Sequence, residues 1–486
     1  MTEVARAGGG ALRSSPSTIE VRASFVKPIV VVVVVAAALA LAGCGALRER
    51  PPSGSIDLPA QPAPVSQTAL APVYDSADQR AATLQRVWQL VADRYYDPAF
   101  NGVDWAAARE RHLPAALAAA SDAQLYRALK AMVRELRDSH SVVLTAKESA
   151  DRRRYVAPHT GATLGIVEGR AAVVAVEADS PAARAGVRAG DVVVALNGTA
   201  LDEAFFARAS AAVDDPGEAG VSPPLPRDPA EAERGRRLRA LQRLLRGAPD
   251  APPPTLRLAL RRAADAAPIE VDLPVVPAGA PPRVELTRFD DGIAVLKLTR
   301  FAAEVRVELR RAVEQLGHTD ALILDLRGNT GGDYAMYTWF AAQFMPAPRE
   351  VLTSVRREGA GQRRSAVVLR PSAEAFAGPI AVLTDRRTAS ASELMATTLV
   401  EQRNAITVGE STCGCVVAVR TEYVLPDGGG LRIAETGFVS ARGRRMEGEP
   451  LAPTRLVLPT FSDLRAGRDP VLDEARRLLK ERLHRP

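Results

Sequence analysis

The chain has 486 residues, 47% of them apolar and 25% charged, with a formal net charge of +6. That length predicts two or three domains with real cores, and the charged fraction argues against an integral multi-span membrane protein. Arg far outnumbers Lys, yet no basic cluster is interleaved with aromatic residues, which argues against a nucleic-acid groove.

Arg22 and Lys27 precede a run from Ile29 to Ala42 that is almost wholly Val, Ala and Leu. Such a run is long enough for a signal-peptide core and short for a membrane span. It ends in Leu41-Ala42-Gly43-Cys44, which resembles the bacterial lipobox, where the cysteine is acylated and becomes the mature N-terminus. The alternative is an uncleaved anchor with an incidental cysteine. Gly45, not an aspartate, comes next, which favours outer-membrane sorting in a cell with two membranes. The expectation is a signal peptide over 1–43, lipidation at Cys44, and a Pro-, Ala- and Ser-rich tether over 44–74. The chain would then sit in the cell envelope, lipid-anchored to the outer membrane and facing the periplasm.

A helical segment is predicted over 75–150. Leu84, Val87, Trp88, Val91 and Tyr95 recur at helical spacing and mark a core face. Ser121 followed by Gln124 suggests a capping box for a helix that carries Leu125, Leu129, Met132, Val133 and Leu136 inward. That helix delivers Asp138-Ser139-His140-Ser141. A histidine at a helix end can be no more than a favourable charge near the C-terminal dipole; taken alone, this one has that reading.

Residues 155–280 read as a second, β-rich unit. Gly161-Ala162-Thr163-Leu164-Gly165-Ile166 is followed by alternating apolar residues from Ala171 to Val176. Then come Asp179-Ser180-Pro181-Ala182-Ala183-Arg184-Ala185-Gly186-Val187 and Gly190-Asp191-Val192-Val193-Val194-Ala195-Leu196-Asn197-Gly198. These strings resemble the short helix, tight turn and following strand of a PDZ domain. The resemblance implies that Leu164, Gly165 and Ile166 form a loop whose N–H groups capture a peptide carboxylate, the peptide adding as a strand. Pro- and Asp-rich residues from about 213 to 236 are expected to interrupt the unit, which resumes from Leu238 to Leu273.

The third unit, 284–460, alternates strands and helices, with a helical tail over 461–486. A strand is predicted over Ile293–Leu298, an amphipathic helix over Glu304–Leu316 and a buried strand over Ala321–Leu326. The last breaks into Arg327-Gly328-Asn329-Thr330-Gly331-Gly332-Asp333, where glycines let backbone N–H groups approach a ligand. A phosphate loop would need a Lys-Ser/Thr directly after it, which is absent, so an oxyanion donor is favoured. Farther on, Thr388-Ala389-Ser390-Ala391-Ser392-Glu393 places Ser390 where a strand gives way to a helix. One turn there can supply both attack geometry and unpaired N–H groups.

In series, Asp138-Ser139-His140, the PDZ-like strings, Asp325 to Gly332, Thr388 to Glu393 and Gly409-Glu410-Ser411-Thr412 resemble the carboxyl-terminal processing (tail-specific) peptidases and their tricorn-core relatives. The resemblance covers roughly residues 80 to 460. It implies an α/β multidomain chain: helical segment, PDZ-like domain and mixed α/β peptidase core. It also implies Ser390 as nucleophile, with the N–H of Ala391 and one from Gly331 or Gly332 as oxyanion hole. The processing branch activates its serine with a lysine, but that position holds Cys415, and no lysine lies between Lys297 and Lys480. The tricorn-like branch instead uses a histidine oriented by a serine and a distant glutamate. Here those fall on His140, Ser139 and Glu447, the last in Met446-Glu447-Gly448-Glu449-Pro450, with Glu449 the rival.

Together these features point to a lipid-anchored serine endopeptidase acting on protein or peptide tails. The competing reading is a catalytically inactive PDZ-containing lipoprotein that only binds peptides; a small-substrate esterase fits the peptide-docking unit less well. No cofactor is expected: His112, His140, His159, His318 and His484 have no metal-ligand spacing. Cys413 and Cys415 pair as a disulfide or remain thiols, and a cysteine nucleophile at Cys415 is a third idea.

Overall fold

The computed structural model describes residues 74–153, 156–213, 225–246, 254–263, 265–279, 281–371 and 375–484. The predicted signal peptide, Cys44, the tether up to residue 73 and residues 214–224 of the predicted insertion lie outside the described residues.

Three helices open the described chain. Ser76 starts the helix Ala77–Arg94 with a reciprocal box: its hydroxyl accepts from the Gln79 N–H, and Gln79 Oε1 accepts from the Ser76 N–H. Ser121 caps the helix Asp122–Arg134 with one arm only, because Gln124 Oε1 takes the Ala120 N–H instead. Leu84, Val87, Val91, Leu125, Leu129, Met132 and Val133 share one core with Trp105 of the helix Trp105–Leu117. Trp88 and Trp105 exchange indole N–H bonds to each other's carbonyls at 2.7 and 3.1 Å, so each ring packs while its donor stays satisfied.

The strand Val142–Leu144 then leaves the helices and joins a three-stranded antiparallel sheet with Gly430–Arg432 and Glu422–Val424. Val142 faces Arg432 and Leu144 faces Gly430. The Ser141 hydroxyl accepts from the Ala434 N–H, 293 positions away. This pairing carries the Ser139-His140 pair onto the distant end of the chain.

The PDZ-like unit begins and ends on a two-stranded stem, Val156–His159 antiparallel to Val276–Gly279. Its sheet runs Ala162–Val167, Arg170–Val176, Val192–Leu196, Thr255–Arg261, Ile269–Pro274, with Thr199–Ala200 paired to Val192–Leu196. Val173, Val193, Leu196, Leu258 and Leu260 form its core with Phe206 and Leu241. The expected interruption ends sooner than composition suggests, because the helix Pro229–Arg246 reaches back well before Leu238. Proline suits a first turn, where its missing N–H is no loss, and Asp228 Oδ1 caps the end by accepting the Glu231 N–H at 2.9 Å.

The last unit is built on a six-stranded sheet in the order Val284–Arg288, Ile293–Leu298, Ala321–Asp325, Ile380–Thr384, Ile406–Gly409, Arg455–Leu456. Only the first pair is antiparallel, and the central strands are buried on both faces, as parallel strands require. Leu296, Leu324 and Val382 look toward the helices Tyr334–Ala342 and Ala391–Arg403. Ile323, Ala381, Leu383 and Val408 pack with Val471, Ala475, Leu478 and Leu479 of the helix Pro470–Leu483. The predicted tail therefore covers one face of the core. The predicted helix Glu304–Leu316 is shorter, Arg306–Glu314 between 3₁₀ turns at Ala303–Val305 and Gln315–His318; no side chain caps its start, and uncapped ends tighten in this way.

Candidate active site

Three loops leave the C-terminal ends of neighbouring parallel strands, after Asp325, Thr384 and Gly409. That rim is where open α/β sheets place their ligand crevice. The middle loop carries Ser390 into the helix Ala391–Arg403 with φ 56° and ψ −122°. A non-glycine residue there costs on the order of 1–3 kcal/mol and persists only where its surroundings over-determine it. They do: the Ser390 N–H donates to the Cys415 carbonyl at 3.0 Å and to Glu393 Oε2 at 3.3 Å. The Ala389 N–H donates to the Asn329 carbonyl, and the Asp385 carboxylate accepts from Gly328, Arg387 and Thr388. The Ala391 N–H, first in its helix, has no acceptor among the described residues.

The glycine loop lies against this turn. A Cβ on Gly331 would meet Ser390 Cβ at 2.7 Å and the Ala391 nitrogen at 2.8 Å, and one on Gly332 would meet the Phe301 carbonyl oxygen at 1.9 Å. Both positions therefore exclude any side chain. Of the two expected oxyanion donors, Gly331 drops out: its N–H donates to Asn329 Oδ1 at 2.9 Å, and Asn329 is locked by donating to the Leu298 carbonyl at 2.7 Å. The Gly332 N–H has no acceptor among the described residues.

The base relay is assembled from opposite ends of the chain. Asp138 Oδ1 accepts the N–H groups of His140 and Ser141 at 2.8 and 2.6 Å, closing the turn that aims the imidazole. Ser139 Oγ lies 2.6 Å from His140 Nδ1 and 3.0 Å from Glu447 Oε2. Glu447 Oε1 accepts the Ser139 N–H at 2.8 Å. Glu447, not Glu449, thus holds the serine. With the Ser139 hydroxyl donating to the carboxylate, its lone pair accepts Nδ1–H, and the lone pair of the imidazole is left on Nε2. Burial, with Arg432 and Arg152 adding positive charge, pushes the half-buried His140 down to about 4, so it is neutral at pH 7. Burial and the nearby Asp138 charge push Glu447 up to about 7.

One peptide unit joins the two halves. The Cys415 carbonyl accepts the Ser390 N–H, and the Val416 N–H of the same unit donates to Glu447 Oε2 at 2.6 Å. Glu393, buried and consequently shifted upward, accepts from the Thr412 hydroxyl, the Gly414 N–H and the Cys415 N–H. Cys413 and Cys415 form a disulfide. Among the described residues no hydrogen bond links His140 to Ser390, a contact that apo sites often complete only with substrate. Glu393, Asn329 and the Cys415–Val416 backbone were not singled out from sequence. Only Glu393 had a signal, its place three residues after Ser390. One group of potential metal ligands occurs among the described residues, Glu393 with Cys413 and Cys415. Its sulfurs are bonded to each other and its carboxylate is filled by N–H and O–H donors, so it offers no ligand set.

Leu164, Gly165 and Ile166 lie within the strand Ala162–Val167, not in a loop, and pair with Val173, Ala172 and Ala171. That strand is an edge of its sheet, but the Ile166 carbonyl already accepts from Arg234 Nε at 2.8 Å. Arg234 also pairs with Glu410, and Glu231 accepts the N–H and hydroxyl of Ser411, both at 2.8 Å. The helix Pro229–Arg246 is thereby tied to the loop that continues into Cys413.

Residues 292–457 match the model of peptidase family S41, residues 76–134 the tricorn protease C1 domain, and residues 173–204 a PDZ domain. A putative tricorn protease homolog 2 of Streptomyces coelicolor is 25% identical over 422 residues, 84% of this chain and 33% of that protein. The chain therefore spans a third of that relative's length. A carboxyl-terminal-processing protease of Synechocystis is 24% identical over 79% of this chain and 83% of its own length. The structure of mature CPAF complexed with lactacystin superposes with a TM-score of 0.60 at 14% identity, covering 83% of this chain and 98% of that one, a likeness of fold.

Proposed function

We propose, from the premise that this chain is a PDZ-containing serine peptidase of the carboxyl-terminal-processing and tricorn-like kind, that it cleaves protein or peptide tails through an acyl-enzyme formed on Ser390, with His140 as general base. The reading rests on one observation: a Glu447–Ser139–His140 relay shares a single peptide unit with the Ser390 turn. When substrate enters, His140 Nε2 takes the Ser390 proton as the hydroxyl attacks the scissile carbonyl. The resulting imidazolium is stabilised through Ser139 by Glu447, and it returns the proton to the leaving amine. The oxyanion meets the N–H groups of Ala391 and Gly332; losing one such donor costs about 2.7–4 kcal/mol of transition-state stabilisation. Water then releases the acyl group by the same base.

A fluorophosphonate probe should label the wild-type protein and miss Ser390→Ala, while His140→Ala should lower kcat/KM about 10²- to 10⁴-fold at unchanged Tm. Equal labelling of wild type and Ser390→Ala removes the assignment and places the nucleophile elsewhere, whereas labelling of neither leaves a binding protein. The anchor is part of the same proposal: an acylated Cys44 would hold the peptidase at the outer membrane, facing the periplasm. Cys44→Ser should then move the protein from detergent-extracted membranes to the soluble fraction; no shift leaves an uncleaved anchor.

A further inference from the structure

We propose that the Cys413–Cys415 disulfide is a positioning device for catalysis, clamping a peptide segment that hydrogen-bonds both the nucleophile turn and the base relay. The proposal depends on the serine–histidine mechanism of Ser390 and His140. Six hydrogen bonds leave this segment, and each ends on one half of the site. Toward the nucleophile, the Cys413 N–H donates to the Thr388 carbonyl at 2.9 Å, and the Gly414 and Cys415 N–H groups donate to Glu393 at 2.7 and 2.8 Å. The Cys415 carbonyl accepts Ser390 at 3.0 Å. Toward the relay, the Gly414 carbonyl accepts the Gly448 N–H at 2.9 Å and the Val416 N–H donates to Glu447 at 2.6 Å.

No helix or strand enforces this geometry, since residues 410–416 lie outside regular structure. Gly414 sits at φ 74°, and an unbridged glycine there would sample both hands of φ. The sulfur bridge closes around that glycine and holds its flanking peptides in one orientation. Both cysteines are buried, 6% exposed, and the export signal read in residues 1–43 would deliver them to an oxidising compartment. Opening the bridge frees the Cys415–Val416 unit to rotate, and a rotation cannot keep its carbonyl on Ser390 and its N–H on Glu447 together. The two halves are then uncoupled.

The test compares oxidised protein with protein treated with dithiothreitol, which delivers two electrons and two protons to the S–S bond and becomes a cyclic disulfide itself. Mass spectrometry after alkylation establishes the two thiols, and Tm is monitored in parallel. Reduction should lower kcat, and the rate of fluorophosphonate labelling at Ser390, about 10- to 100-fold, the order expected when reacting groups shift by an ångström. KM should hold within about twofold, the acid limb of kcat/KM should move to higher pH as Glu447 loses the Val416 donor, and reoxidation should restore both. A Cys413→Ala, Cys415→Ala double variant should match the reduced protein if it folds. Reduced protein with two alkylated thiols and unchanged kcat overturns the proposal, as does active protein isolated with free thiols. Oxidised protein that is not labelled at Ser390 refutes the peptidase reading itself, so the two failures are distinct.

Discussion

Ser139 gives its one proton to Glu447 and its lone pair to His140, so the state of the carboxylate decides which imidazole nitrogen carries hydrogen. Above about pH 7 Glu447 is ionised and Nε2 is a lone pair. Below it, a protonated Glu447 donates to Ser139, the serine proton turns toward Nδ1, and the hydrogen of the ring moves to Nε2, where it cannot accept from Ser390. Because Glu447 is raised and His140 lowered, the carboxylate and not the imidazole should set the acid limb. We expect kcat/KM to rise with pH through about 7, and Glu447→Gln to abolish that limb while lowering kcat/KM about 10²- to 10⁴-fold. A limb that persists in Glu447→Gln refutes this source. At this scale the side chains of the relay were legible, since serine, histidine and glutamate each announce their chemistry. The Gly331 N–H, satisfied by Asn329, and the carbonyl of Cys415 were not, because backbone groups carry no signature in composition.

Three residues of strand decide whether the imidazole reaches the core. Val142–Leu144 is held by Gly430–Arg432, and Leu431, fully buried opposite Val143, packs against the N-terminal helices. Leu431→Ala should cost about 2–5 kcal/mol and speed hydrogen exchange at 142–144 more than in the helix Asp122–Arg134. Equal acceleration of both segments would mean global loosening and no specific release of His140. This pairing was invisible in the sequence because three residues are too few to display an alternating period. Pro229 misled in the other direction: Pro- and Asp-rich composition suggested an interruption up to about 236, yet a first-turn proline and an aspartate cap start a helix whose apolar residues from Leu238 onward supply its buried face. Longer periodic elements were legible, and Ile293–Leu298 agrees end to end with its strand.

At the scale of the molecule, a sheet buried on both faces needs two covers, and the second is the helix Pro470–Leu483. Burying Val471, Leu478 and Leu479 at about 1.5–3 kcal/mol each contributes an amount comparable with the ~5–15 kcal/mol net stability of a typical domain. A chain ending at Asp469 should therefore accumulate as aggregate; a soluble product with unchanged Tm would refute this role for the helix. The class and order of the units were readable because each motif is local, whereas their convergence on one rim depends on pairings across hundreds of residues. The stem Val156–His159 with Val276–Gly279 has its own consequence. Antiparallel partners stand about 4.5–5.5 Å apart, so the polypeptide departs and returns at almost the same spot. The PDZ-like module is a cassette with one covalent seam: cut there, the Glu231–Ser411 and Arg234–Glu410 ties and the packing of Val167, Ala172 and Val192 on Phe461 still hold it to the core, and a graft in its stead must replace those contacts.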